Sequence, residues 1–240
     1  MPSMYSMIAR RCVSATLLCA ASPGSASPRL YEIDPQHLTL GFLVEHVGFA
    51  KVLGRFSEAA GSFTFDESTG EISNVRVVVK TASVDTTVEA RDRHLRSADF
   101  LSVERFPEMV FESKGTTKLE GRKGEIRGDL TLVGITRPLT LSVSWNKSAT
   151  SPLPGKPYVA GMSARGSFRR SEFGISYGVA DGLVGDDVEL LIELEAHRRG
   201  NDSSSLFSSS STGTRSSHSR TSLRRRRCVS SPSSRSRSSR

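Results

Sequence analysis

Between Leu30 and His197 apolar residues recur at every second position rather than at helical spacing. Leu38, Leu40, Phe42, Val44 and His46 share one parity, with Thr39, Gly41 and Glu45 on the other. Ile126, Gly128, Leu130 and Leu132 repeat the pattern against Glu125, Arg127, Asp129 and Thr131, and Leu139, Leu141, Val143 and Trp145 do so against Thr140, Ser142 and Ser144. The last strand reads most clearly: Val188, Leu190, Ile192 and Leu194 alternate with Glu189, Glu193 and Glu195. Phe63–Phe65, Val75–Val79, Met109–Phe111 and the small-residue run Met162, Ala164, Gly166, Phe168 complete eight strands. Gly, Pro, Asp and Asn separate them. Only Val88 to Val103 breaks the period, and it reads as a helix closing over something.

Eight short strands, each with one apolar face and no βαβ rhythm, predict an all-β fold. An antiparallel sheet closed on itself removes the exposed edges, with the short helix covering one end. An eight-stranded barrel is just wide enough to be filled by side chains or to hold one small ligand. Large inner residues (Phe42, Met109, Phe111, Trp145, Phe168) are interspersed with Gly41, Gly128, Ala164 and Gly166. Small wall residues leave room for a cavity; the alternative is that the glycines relieve bends at barrel corners.

Composition changes this picture mainly at the ends. The net charge of +8 resolves into a tail and a body: from Arg198 to Arg240 there are 11 Arg and one acid, Asp202, while the body from Pro28 to His197 carries −4. A basic nucleic-acid-binding fold is therefore not indicated for the body. The tail holds 18 Ser in 43 residues and too few apolar side chains to offset ordering entropy, so residues 198–240 read as a disordered Ser/Arg-rich extension. Its Arg224–Arg227 run carries an alternative function, adhesion to phosphate polymers or nucleic acid. Residues 1–26 read as a secretory signal: Arg10-Arg11, an apolar stretch from Cys12 to Ala21, then small residues through Ala26. Cleavage there leaves a body, residues 27–197, without cysteine, which suits a periplasmic or secreted protein. No run of 18 apolar residues exists, so no membrane-spanning helix is expected.

The polar residues that could carry chemistry are few. His37 and His46 differ in parity and cannot both face inward without a bulge; with Asp92 they sketch a metal site that no HxH or HExxH spacing supports. Ser83 and His94 with Asp85 or Asp92 lack a nucleophile elbow. Neither catalysis, nor a metal, nor a cofactor is expected. Arg91 or Arg93 could fork onto a phosphate-bearing head group; alternatively Arg91 and Asp92 clamp the helix to the barrel.

One stretch narrows the field. The run from Ser83 to Leu101, SVDTTVEARDRHLRSADFL, with Phe106-Pro107, resembles the signature of the YceI-like family. The resemblance continues in Gly128–Leu141, in Ala160–Ile175 and in the opening that starts at Tyr31, and so covers most of the body. It implies a lipocalin-like barrel with a hydrophobic tunnel for a polyisoprenoid or other long-chain, fatty-acid-type lipid, held in the periplasm for sequestration or transport. With the resemblance, the expected ligand contacts are Phe42 and Val44 on the first strand, Val77, Phe111, Leu130 and Leu141 along the wall, and Ala164 and Phe168 on the small-residue strand. Leu95 and Phe100 would cap them, with His46, Arg91 and His94 near the mouth. Members of the family often pair, so a homodimer is among the expected partners.

Overall fold

The computed structural model describes residues 27–200; the expected signal at residues 1–26 and residues 201–240 of the expected Ser/Arg-rich tail lie outside the described residues, while Arg198, where that tail is expected to begin, is the last residue of a strand. In chain order the strands are β1 (Arg29–His46), β2 (Ala50–Phe56), β3 (Ala59–Asp66), β4 (Glu71–Lys80), β5 (Val84–Asp85), β6 (Glu108–Ser113), β7 (Thr117–Lys118), β8 (Lys123–Leu132), β9 (Ile135–Thr150), β10 (Tyr158–Arg169) and β11 (Val184–Arg198). One helix, α1 (Glu89–Arg96), and two 3₁₀ turns, Thr81–Ser83 and Arg170–Phe173, interrupt them.

Pairing runs β11-β10-β9-β8-β6-β4-β3-β1, and β1 returns to β11, so eight antiparallel strands close a barrel. The sequence pattern yields the same number, yet it misses β2, whose alternation is broken by Gly54. β2 pairs with the second half of β1 (Leu40 opposite Phe56, His46 opposite Ala50) and β3 with the first half (Arg29 opposite Phe65). Together they line β1 as one stave with a break at Ser57–Glu58.

Parity is kept because one face of every strand is buried. Val188, Leu190, Ile192 and Leu194 of β11 face the interior, while Glu189 and Glu193 face out and pair with Lys51 and Arg165. Turn chemistry closes the hairpins. Asp66 Oδ1 accepts from Ser68 N–H (2.9 Å) and Ser68 Oγ (2.6 Å), and Gly70 follows with φ +74°. Between β8 and β9 the pair Val133 (φ +52°) and Gly134 (φ +74°) makes the two-residue left-handed turn that matches strand twist. In β1 the bulge between Ile33 and Leu38 absorbs Pro35, which has no N–H for the ladder, and leaves His37 outside, bonded to Asp34 Oδ2 at 2.7 Å.

The helix is shorter than the expected Val88–Val103. After Arg96 the chain turns: Ser97 Oγ accepts the Asp99 N–H (3.3 Å), and Ser102 takes φ +47°. Local side-chain bonding of this kind competes with helix continuation. An eight-residue helix is not stable alone; Arg96 anchors it by donating to the Ala82 and Val84 carbonyls at 2.9 and 2.8 Å.

Candidate functional site

Barrel closure leaves a cavity of about 740 Å³ along the axis. Its wall is aliphatic and aromatic from β1 to β11, including Val77, Met109, Phe111, Leu130, Leu141, Met162 and Ile192. Phe42, Val44, Ala164 and Phe168 border it from β1 and β10, and Leu95 and Phe100 border it from α1 and the turn behind it. His46, Arg91 and His94 border it as well, so the structure brings all the residues expected as ligand contacts around one chamber.

The reason for the room differs from the expected one. Gly41 lies on the outer parity, where an added Cβ would meet the Leu191 carbonyl at 3.4 Å. A Cβ on Gly128 would lie 2.6 Å from the Phe111 ring and closer still to the Glu112 carbonyl. One on Gly166 would lie 2.8 Å from Leu141 Cδ2. Gly128 and Gly166 seat neighbouring side chains flat against the wall and do not themselves open space; Gly54 seats the Phe42 ring in the same way, whereas Gly41 borders the cavity. Trp145 is also not a wall residue. A bulge in the β9–β10 register carries it towards the end distant from α1, where its ring meets Phe65 edge-on at 5.0 Å and its indole N–H donates to Ser148 Oγ at 2.9 Å.

That distal end is plugged. Tyr31, fully buried, stacks on Phe63 at 5.5 Å, and its hydroxyl donates to one oxygen of Glu67. Tyr158 donates to the other oxygen of Glu67 at 2.9 Å, with the Arg198 guanidinium 3.8 Å above its ring. Burial first, then the Glu67 carboxylate, push the Tyr31 phenol well above its ordinary range, and Tyr158 is raised for the same reasons. Both therefore stay neutral donors.

The polar lining residues gather at the opposite end: Glu45 and His46 at the end of β1, Thr86 after β5, Arg91 and His94 on α1, then Arg170 and Tyr177. Arg91 and Asp92 do not pair directly; both hold Thr86. Asp92 Oδ1 accepts from Thr86 N–H (2.9 Å) and its hydroxyl, while Arg91 donates to Thr86 Oγ1 and its carbonyl at 2.7 and 2.8 Å. The helix is thus clamped to the barrel through a threonine. Arg93 points away and faces Glu89 at 3.8 Å. His94 sits edge-on between Phe100 (5.0 Å) and Tyr177 (4.8 Å), with Nε2 2.8 Å from Asp99 Oδ2. Ser83 donates to the Lys80 carbonyl at 2.7 Å, a turn contact unrelated to His94. Among the described residues no three His, Cys, Asp or Glu side chains converge as metal ligands would.

Sequence reasoning missed Arg170, although the signal was available: it continues the inward parity of Met162, Ala164 and Phe168. It is 4 % exposed and donates to the carbonyls of Gly185 (2.7 Å), Ile175 (3.1 Å), Tyr177 (2.8 Å) and Val184 (2.7 Å). Burial lowers its pKa, with the charge of Asp186 opposing. Asp186 itself is engaged by Arg169 (2.9 Å) and Ser171 (2.8 Å). Arg170 is therefore a fixed cation bordering an apolar chamber, held by carbonyl dipoles.

A closed eight-stranded antiparallel barrel, plugged at one end, helix-covered at the other and enclosing an apolar chamber, is a barrel of the lipocalin-like class. The profile of the YceI-like domain matches residues 31–196, and the chain belongs to that family. Protein YceI of Salmonella arizonae is 39 % identical over 174 residues, covering 72 % of this chain and 88 % of the relative. Among solved structures, the Campylobacter jejuni YCEI protein is 29 % identical with TM-score 0.59, covering 65 % of this chain and 90 % of its own. Two more distant structures share the fold. Burkholderia cenocepacia BcnA is 17 % identical (TM-score 0.60, 68 % and 98 % covered), and a polyisoprenoid binding domain from Saccharophagus degradans is 13 % identical (TM-score 0.50, 70 % and 98 % covered).

Proposed function

We propose that this protein is an exported binding protein that sequesters or carries a polyisoprenoid or other long-chain amphiphilic lipid in its barrel, making and breaking no bond. The observation that carries the reading is the chamber of about 740 Å³, apolar along its length with its polar groups confined to one end. Each methylene moved from water into such a wall contributes up to about 0.8 kcal/mol, so a long chain offsets the cost of its own immobilisation. A wall that is apolar along most of its length suits retention of a chain. The chain would lie among Phe42, Val44, Val77, Leu95, Phe100, Phe111, Leu130, Leu141, Ala164 and Phe168. The head would rest near His46, Arg91, His94 and Arg170, where guanidinium N–H groups meet an oxygen-bearing group. That a barrel of the same fold from Saccharophagus degradans is a polyisoprenoid binding domain supports this choice of cargo.

The signal-like pattern of residues 1–26 and a body without cysteine support a periplasmic or secreted location. Pairing into a homodimer is proposed on family resemblance alone. Native mass spectrometry of the purified protein, followed by solvent extraction, tests the central reading. A co-extracted long-chain amphiphile at about one per barrel is the expected result. A protein that arrives empty and takes up neither added polyprenol nor fatty acid refutes it.

A further inference from the structure

Of the large apolar side chains left in solvent, Val47, Val88, Tyr177 and Leu183 are each 40–46 % exposed and each also borders the cavity. Where the chamber meets water its fringe is therefore apolar. Leu30, Leu53 and Leu153 are also exposed and do not border it, Leu30 and Leu153 lying near the plugged end. Two parts of the fringe are tied together: the Val47 N–H donates to the Leu183 carbonyl at 3.1 Å and links the β1–β2 turn to the loop before β11. At the tip of that turn stands Phe49, 90 % exposed. The turn is built on Val47 (φ +52°) and Gly48 (φ +72°) and closed by Phe49 N–H to the His46 carbonyl at 3.1 Å.

We propose that this collar of Val47, Phe49, Val88, Tyr177 and Leu183 is a membrane-docking surface, through which the barrel takes its cargo directly from a lipid bilayer. The proposal rests on the lipid-cargo reading above and adds the surface from which the cargo comes. Exposed apolar patches that ring an opening mark interaction sites rather than ordinary surface. The occupant is a bilayer because the collar is continuous with the chamber. A long-chain lipid has almost no monomer concentration in water, so its path from the membrane must cross this fringe, and a protein seated there would seal it. The chemistry fits the headgroup–acyl boundary: a ring at a turn tip, aliphatic side chains beside it, and a tyrosine with one apolar body and one wet end. Lys51, beside the tip, is already paired with Glu189, so docking does not depend on anionic lipid.

Co-flotation of the full-length protein with neutral phosphatidylcholine vesicles tests this, since neutral lipid removes any pull from the Arg-rich tail. The wild type is expected to float. Phe49→Asp combined with Leu183→Asp is expected to weaken vesicle binding by roughly a hundredfold or more, from the loss of two buried apolar side chains. Leu30→Asp, at the other end, should float as the wild type does. Parinaric acid added from ethanol reports the chamber separately, and its fluorescence titration should be unchanged in Phe49→Asp alone and in Leu30→Asp, whose side chains do not border the cavity. If the wild type binds parinaric acid but does not float, or the double variant floats equally well, docking through the collar is wrong. Failure of parinaric acid and polyprenol to bind the wild type overturns the cargo reading instead, whatever the vesicles do. A double variant that loses a dimer on sedimentation, from a wild type that never floated, would assign the collar to a second copy and refute the bilayer.

Discussion

Replacing Ala164 by Phe separates a real chamber from a packed core by the sign of its effect. Ala164 lies mid-wall on β10, opposite Val143 of β9 and Ile192 of β11, and is 8 % exposed with its side chain on the cavity face. In a close-packed interior an added ring forces neighbours off their rotamers and costs about 1–3 kcal/mol. Here the ring enters about 740 Å³ of apolar space, so the empty variant should gain about 1.5–3 kcal/mol from burying it. The same ring displaces cargo. If it takes the room of three or four methylenes at about 0.8 kcal/mol each, binding weakens by about 2.5–3 kcal/mol, roughly 60- to 150-fold in Kd. Delipidated wild type and variant compared by urea denaturation and by parinaric acid titration give both numbers. A variant that is less stable and binds as before would show that Ala164 faces packed side chains, and the argument from cavity to cargo would fail with it.

Glycine packing makes an independent test. Gly128→Ala places a Cβ against the Glu112 carbonyl and the Phe111 ring and should destabilise by about 1–3 kcal/mol, whereas a Cβ on Gly161 has its nearest neighbour at 3.8 Å and should be neutral or gain up to about 1 kcal/mol in the same denaturation assay. The Glu67 latch predicts alkaline sensitivity. The raised phenol of Tyr31 means that its contribution is present below the unfolded value near pH 10 and is lost as pH rises beyond it, so Tyr31→Phe should lose about 1–2 kcal/mol at pH 7 yet show a shallower decline above about pH 10. Arg170→Leu removes the donor to four carbonyls and should cost about 3 kcal/mol or more in thermal melts; an unchanged melting temperature would mean that water or a neighbour serves those carbonyls equally well.

The barrel was legible because closure imposes one rule on every strand, inner parity apolar, and Val188 to Leu194 obeys it without exception. β2 was not legible. Its run has only Val52 and Phe56 inward around Gly54, and that glycine makes sense only beside the Phe42 ring of its partner strand. Wall glycines at Gly128 and Gly166 failed for the same reason: a glycine looks like space in one dimension, and what fills the space comes from another strand. The wall residues were accessible by parity, and Arg170 was equally accessible. An arginine in phase with Phe168 marks the end of an apolar face, but which carbonyls it reaches depends on the 175–185 loop, invisible to periodicity. The roles of Arg91 and Asp92 were visible in kind and not in detail, because the threonine that mediates them lies five and six positions earlier, where no pattern singles it out.

The two ends of the barrel differ in how they are held shut, and that difference gives the chamber a direction. At the distal end Tyr31, Phe65 and Trp145 interlock, and a carboxylate shared by two phenols ties β1, the β3–β4 turn and β10 together. Opening it would expose three aromatic rings, at about 1.5–3 kcal/mol for a fully buried ring, and break two charge-assisted hydrogen bonds worth about 1.5–3 kcal/mol each. At the proximal end the closure is an eight-residue helix with little stability of its own, attached through Arg96 to two carbonyls and through Thr86 to Arg91 and Asp92. Its apolar contribution to the wall is small, and its outer neighbours, Val88, Tyr177 and Leu183, are already half in solvent. Passage at this end therefore costs a few side-chain hydrogen bonds that water can replace, whereas passage at the other dismantles the core. The helix-covered end is thus the more easily opened of the two, and it is the end where Arg91, His94 and Arg170 border the chamber.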